Sequence, residues 1–184
     1  MSIMWDYNLV EWLQVNFVTP QIIHFFYILC KPIWLLLPIA LLFIYLIYID
    51  KKRALLFFTL ILLSITLSET VAASIKFLVA HPRPRMALFH HINFTTFSFP
   101  SAHATNTACL LTVLYLFFAL NRKWIYALGT SALLVAFGRV ITTNHFFTDI
   151  IAGLLFGFIC GLLSWYIYTN FIRKIFNKYI FNKI

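Results

Sequence analysis

The residues of this chain with the most chemistry to offer fall in three short stretches. The first reads KFLVAHPRP and holds Lys76 and Arg83; the second reads PSAH and holds Ser101 and His103; the third reads GRVITTNHFFTD and holds Arg139, His145 and Asp149. His145 and Asp149 stand four residues apart, a spacing that brings them together on a helical turn. There the carboxylate accepts a hydrogen bond from one imidazole nitrogen and leaves the other free to attack, the orienting device of nucleophilic sites in general. The same pair also suits an ordinary ion pair at a helix start, where the dipole favours an aspartate. Lys76, Arg83 and Arg139 are three cations that, gathered in one place, require an anion. Phosphate fits them, since arginine offers forked donors and lysine a compact charge. Taken singly, each arginine also reads as a side chain snorkelling to a membrane boundary. Ser101 and Ala102 lie where a loop enters a helix, so free backbone N–H groups, the positive helix end and the Ser101 hydroxyl can hold phosphate oxygens. His103 follows, placed to give a proton to a departing oxygen.

The elements that must position these residues follow from composition. Of the 184 residues, 62% are hydrophobic and 10% charged, far more apolar than an ordinary soluble domain. Several stretches approach the roughly 20 residues needed to cross about 30 Å of hydrocarbon. The expected fold is an all-α integral membrane bundle forming a single domain over residues 1–184, with five transmembrane helices at about 32–49, 54–77, 101–120, 124–143 and 149–169. Residues 1–31 are expected to hold interfacial helices: Trp5, Leu9, Trp12, Leu13 and Phe17 recur at helical intervals with Asp6, Asn8, Glu11 and Gln14 between them, the pattern of an amphipathic helix in the interface plane. The start carries Asp6 and Glu11 and no basic cluster, unlike a cleavable signal peptide. Residues 170–184 form a basic tail suited to an anionic leaflet.

Lys51, Lys52, Arg53, Arg122, Lys123, Arg173, Lys174, Lys178 and Lys183 fall on one side of this layout, and they are most of the fourteen Lys and Arg residues. The positive-inside rule makes that side cytoplasmic and turns the site to the outer face; a bacterial inner membrane, with the site facing the periplasm or exterior, is the expected location. The other five, Lys31, Lys76, Arg83, Arg85 and Arg139, fall toward the opposite face, where the charge bias gives them no topological purpose. Topology alone brings Lys76, Arg83, Ser101, His103, Arg139, His145 and Asp149 to one membrane level. Charged groups at such a level are costly and usually functional.

The three stretches resemble the signature of the type 2 phosphatidic acid phosphatase superfamily, K-x6-R-P, P-S-G-H and S-R-x5-H-x3-D. The bundle layout is similar to its membrane members, the lipid phosphate phosphatases. The resemblance implies a phosphatase in which His145 is the nucleophile forming a phosphohistidine, Asp149 orients it, and His103 is the acid for the leaving group. Lys76, Arg83, Ser101, Ala102 and Arg139 then bind phosphate, and no metal or other cofactor is implied. Two positions depart from the pattern. Ala102 replaces a glycine, and its methyl group is a restriction if a positive φ is needed there; Gly138 replaces a serine and removes a hydroxyl.

The expected substrate is a lipid phosphate in the bilayer: undecaprenyl diphosphate, phosphatidylglycerophosphate, phosphatidic acid or a lipid A phosphate. The sequence leaves open phosphotransfer to a second lipid through the same intermediate, an inactive lipid-binding scaffold, and the oligomeric state. Glu69, two turns before Lys76, and Arg85 are candidates for a supporting shell; Glu69 reads equally as a protonated glutamate within the bundle. His24, His81, His90 and His91 read as interfacial polar residues, and the 85–99 loop as a headgroup lid. The net charge of +9 is dispersed between apolar runs, which argues against a nucleic-acid partner. Cys30, Cys109 and Cys160 share no metal-ligand spacing and read as packing residues.

Overall fold

The structure is a computed structural model describing residues 4–31, 33–84 and 97–180. Among these residues the regular elements are all helices, the bundle expected of an integral membrane protein. They are α1 (Met4–Asn16), α2 (Pro20–Leu29), α3 (Ile33–Ile49), α4 (Lys51–Val79), α5 (Ala102–Phe118), α6 (Arg122–Ile141) and α7 (Phe147–Ile167). The chain stays helical beyond α7, through a wider π turn at Tyr168–Ile172 and on to Ile180. The stretch expected to be a tail from residue 170 therefore begins as an extension of the last helix.

Sequence-local capping sets the boundaries. The Asp50 carboxylate accepts from the Arg53 N–H at 3.0 Å and starts α4. The Asn121 side chain accepts from Lys123 and Trp124 N–H groups and starts α6, as short polar side chains do at this position. Pro20 opens α2 and Thr19 caps it; α2 ends at Leu29 and α3 begins at Ile33. Lys51–Val79, Lys123–Ile141 and the α7 extension Phe147–Lys178 are long and apolar enough to cross a membrane, while α3 and α5 are shorter apolar helices.

The tightest packing is between α5 and α7. Gly153, Gly157 and Gly161 form a stripe at four-residue spacing along α7, the small-residue pattern that lets helix backbones approach closely. A Cβ placed on Gly157 would sit 2.1 Å from the Thr105 carbonyl oxygen, and one on Gly153 would sit 2.8 Å from that of Ser101. Two buried clusters fill the bundle. One, with Leu46, Phe57, Leu60, Leu110, Val113 and Tyr168, lies toward one end. The other, with Val10, Ala104, Ala136, Val140, Phe146 and Ile150, lies beneath the turn that carries His145.

α1 does more than lie amphipathically on a surface. Its Asp6 is 2% exposed, and its carboxylate accepts from Phe147 N at 2.9 Å, Thr148 N at 3.1 Å and the Thr148 hydroxyl at 2.6 Å. Asp6 thus caps α7 from a distant part of the chain, satisfying N–H groups that the helix leaves free and placing negative charge at the positive end. Asp6→Ala is expected to lower stability by about 1–3 kcal/mol, the range for a lost cap and newly orphaned buried donors. It should lower kcat as well, because α7 begins two residues after His145. Thermal melting and turnover of the purified variant check both.

Candidate active site

The site is built at one end of the bundle, where α4 finishes, α5 and α7 begin, and α6 turns into α7. The turn from α6 to α7 is made locally. Thr142 N donates to Gly138 O and Thr143 N to Val140 O, and the backbone N–H groups of Asn144 and His145 both donate to Arg139 O. Thr143 stands at φ 53°, a left-handed conformation unfavourable for a β-branched residue and of the kind that clusters at functional sites. The Asn144 amide donates back to the Thr142 carbonyl and hydroxyl at 3.0 and 2.8 Å and holds the turn closed. Its amide oxygen accepts from Arg83 Nη1 at 3.0 Å, so the turn presenting His145 is tied to Arg83 of another segment.

His145 Nδ1 lies 3.5 Å from Asp149 Oδ2, with His145 2% exposed and the Asp149 side chain fully buried. The same Asp149 oxygen accepts from Phe146 N at 2.8 Å, which fixes the carboxylate at the start of α7. Burial first, then the Arg139, Lys76 and Arg83 cations, hold His145 well below the ordinary imidazole range. Its turn lies between the helices, and a depressed pKa keeps the ring neutral and its lone pair available. A lowered pKa keeps the ring deprotonated as pH falls, so with His145 as the expected nucleophile the acid limb of kcat/KM, corrected for ionisation of the substrate phosphate, is expected below about 6.5. A limb at or above that value would contradict the environment described.

The second stretch is shaped by Lys76 and Ser98. Lys76 Nζ donates to the carbonyls of Phe97, Ser98 and Pro100 at 3.3, 3.2 and 2.8 Å, so the ammonium, expected to meet phosphate, grips the loop that leads into α5. Ser101 N donates to Asp149 O at 3.1 Å and locks this loop to α7. Ser101 caps α5 without a side-chain cap bond, and its buried hydroxyl makes no hydrogen bond among the described residues. A buried donor left in this state at a helix N-terminus suits an incoming oxyanion. Ala102 begins the helix and is not among the positive-φ residues, so its methyl group meets no backbone restriction. Gly138 has a packing role: a Cβ there would lie 2.6 Å from Phe26 Cδ1 and 2.9 Å from Cys30 Sγ, so the missing side chain makes room for α2.

The structure thus gathers Lys76, Arg83, Ser101, Ala102, Arg139, His145 and Asp149 at this end. It places His103 with Arg139 and Asn144 on a cavity of about 390 Å³. Glu69 is exposed and accepts from the Asn106 amide, whose oxygen accepts from Ser68; that chain runs along α4 and α5 away from the His145 turn. Arg85, His90, His91, Asn93 and most of the expected lid lie outside the described residues.

His81 is a site residue that the sequence reading assigned to the interface. Its Nδ1 lies 2.9 Å from Ser98 Oγ and 4.0 Å from Asp149 Oδ1, and its ring packs against Phe146 at 5.2 Å. Since the Ser98 hydroxyl donates to the carbonyls of His81 and Pro82, the His81 Nδ1–H is the donor to Ser98. Asp149 Oδ1, buried with no hydrogen-bond partner among the described residues, faces this ring. The signal for His81 was its place within the first stretch, two residues before Arg83. His81→Gln is expected to lower kcat about tenfold, or about 1.4 kcal/mol, with KM little moved, because it lies against the Asp149 carboxylate; a pure KM effect would contradict this.

Comparison with known proteins follows the same residues. A family model described as the PAP2 superfamily matches residues 56–173. Phosphatidylglycerophosphatase B of Bacillus subtilis is 34% identical over 92 residues, which cover 46% of this chain and 43% of that protein. The lipid A 4'-phosphatase of Porphyromonas gingivalis is 28% identical over 163 residues, 81% of this chain and 67% of that one. Among solved structures, Aquifex aeolicus LpxE superposes with a TM-score of 0.63 at 26% identity, covering 85% of this chain and 93% of its own. A transmembrane PAP2-type phosphatidylglycerolphosphate phosphatase of Bacillus subtilis superposes with a TM-score of 0.71 at 23% identity, covering 94% and 86% of the two chains, and shares the fold.

Proposed function

This chain belongs to the PAP2 superfamily, and from that premise we propose that it is a membrane phosphatase that hydrolyses a monoester or diphosphate of a lipid through a phosphohistidine at His145. The observation that carries the reading is the buried His145–Asp149 pair at 3.5 Å, set beside an unpartnered Ser101 hydroxyl at the start of α5. The relatives, named as phosphatases of phosphatidylglycerophosphate and of lipid A, support a lipid phosphate as the substrate.

In the first step the free imidazole nitrogen of His145 attacks phosphorus and the bond from phosphorus to the leaving oxygen breaks, the ester oxygen of a monoester or the bridging oxygen of a diphosphate. His103 delivers a proton to that oxygen; the charge of the arriving phosphate favours the protonated ring. Asp149 stabilises the charge that develops on His145 and fixes its tautomer. In the second step water attacks the phosphohistidine, His103 takes its proton, and the nitrogen–phosphorus bond breaks to release inorganic phosphate. Arg83, Arg139, the Ser101 hydroxyl and the Ala102 N–H stabilise the equatorial oxygens, and Lys76 joins them by exchanging a loop carbonyl for phosphate. Such an array of cations and a helix end supplies the charge stabilisation that metal ions give in other phosphoryl transfers, so activity is expected to persist in a chelator.

On this reading the chain lies in a bacterial inner membrane, with this site facing the periplasm and the C-terminus in the cytoplasm. The support is the Lys51–Arg53, Arg122–Lys123 and Arg173–Lys178 basic groups at the other ends of the helices. Purified full chain incubated with undecaprenyl diphosphate, phosphatidylglycerophosphate, phosphatidic acid and lipid A in a metal chelator is expected to release phosphate from at least one. Release from none would contradict the proposal.

A further inference from the structure

Of the five cations on the side of His145, three are in the site and Arg85 lies outside the described residues, which leaves Lys31 without a purpose. It stands just past α2, and α2 is fastened to the edge of the site. Cys30 Sγ donates to Val135 O at 3.5 Å, Phe26 meets Phe137 edge-on at 6.0 Å, and Gly138 leaves the room this docking needs. The Trp34 indole donates to Ile28 O at 2.9 Å and holds the corner into α3. The result is that Tyr27 and Lys31 line the same cavity as His103, Arg139 and Asn144, a space of about 390 Å³. That volume is within the usual range of ligand pockets.

Two details point to an anion beyond the scissile phosphate. No acidic residue is among those lining this cavity, so Lys31 and Arg139 leave it electropositive. Lys31 Nζ lies 5.6 Å from the centre of the Tyr27 ring, close enough for a cation–π attraction that keeps the ammonium at the cavity wall. One scissile phosphate already has Arg83, Arg139 and the α5 N-terminus. A further compact cation on the facing wall complements a second negative group carried by the same substrate.

We propose that Lys31, held on the Tyr27 ring, is a specificity residue that binds a second phosphate-type anion of the lipid substrate near the scissile phosphate. This rests on the lipid-phosphatase reading above. Two sources share the chemistry: the neighbouring phosphate of a diphosphate, and a separate phosphodiester such as that of phosphatidylglycerophosphate.

The test compares kcat/KM of the full-length protein on prenyl monophosphate, prenyl diphosphate and phosphatidylglycerophosphate, for the wild type, Lys31→Gln, Lys31→Arg and the distant control Lys123→Gln. Lys31→Gln is expected to lose about tenfold more on one or both doubly anionic lipids than on the monophosphate, a difference of about one charge-assisted contact. The loss should lie mainly in KM, with Lys31→Arg recovering most of it and Lys123→Gln leaving all ratios unchanged. The lipid whose ratio falls identifies the source of the second anion. Equal losses on all three lipids, or no loss on either doubly anionic one, would overturn the assignment. A wild type that releases phosphate from none of these or the earlier lipids overturns the underlying reading instead, and is distinguishable because no ratio exists to compare.

Discussion

His145→Ala is expected to lower phosphate release at least about ten-thousand-fold, to the level left when a nucleophile is removed and only binding and charge stabilisation remain. The size of the effect follows from the position of the ring. It is the buried imidazole at the junction of α6 and α7 that meets Asp149, and neither His81 nor His103 stands in its place. His81 approaches the other oxygen of the same carboxylate, and His103 lines the cavity from α5. Folding should survive, because Asp149 keeps its bond from Phe146 N and the turn is closed by backbone bonds to Arg139 O. Melting temperature measured beside turnover separates lost chemistry from a lost fold. A variant that folds and retains wild-type release would remove His145 from the mechanism.

The second large effect is structural and lies away from the reacting atoms. Gly157→Leu is expected to prevent accumulation of folded protein, and Gly157→Ala to destabilise it by about 1–3 kcal/mol, the usual cost of forcing extra volume into a packed interior. A Cβ at this position meets the Thr105 carbonyl oxygen at 2.1 Å and the Ala108 Cβ at 2.8 Å. The nearest atom is backbone, so it cannot rotate away, and α5 and α7 must part. Parting them pulls on the Ser101–Asp149 bond and so separates the start of α5 from the Asp149 carboxylate. Gly129 is the matched control. A Cβ there meets nothing within 4 Å, so Gly129→Ala on α6 should be neutral or stabilising by roughly 0.5–1 kcal/mol. Size-exclusion profiles in detergent and melting curves report the difference; equal behaviour of Gly157→Ala and Gly129→Ala would refute the close approach.

The parts of this molecule that were legible in the sequence are those encoded at fixed short spacings. His145 and Asp149 pair because they are four residues apart, and the alternation of apolar runs brings the ends of α4, α5 and α7 together. Gly153, Gly157 and Gly161 carry the same kind of regularity, but their meaning depends on which helix lies opposite. What could not be read were contacts made across the chain. Asp6 stands 141 residues from Phe147, and nothing in the periodicity of α1 distinguishes a buried cap from a polar face. The three carbonyls that Lys76 grips are backbone groups without a side-chain signature, so a phosphate-binding lysine and a loop-positioning one look alike. Gly138 read as a lost hydroxyl until the docking of α2 gave it a steric reason. His81 sits two residues before the motif Arg83 and looked interfacial, because its partner Asp149 is contributed by another helix.

A phosphohistidine at His145 is the covalent step to trap. Purified protein mixed briefly with a lipid labelled in its scissile phosphate, quenched in base and digested, is expected to carry label on the peptide containing His145. The label should be stable to base, lost in mild acid, and absent from His145→Ala. Free phosphate released at full rate while no label can be trapped on His145, or label trapped on another residue, would contradict it.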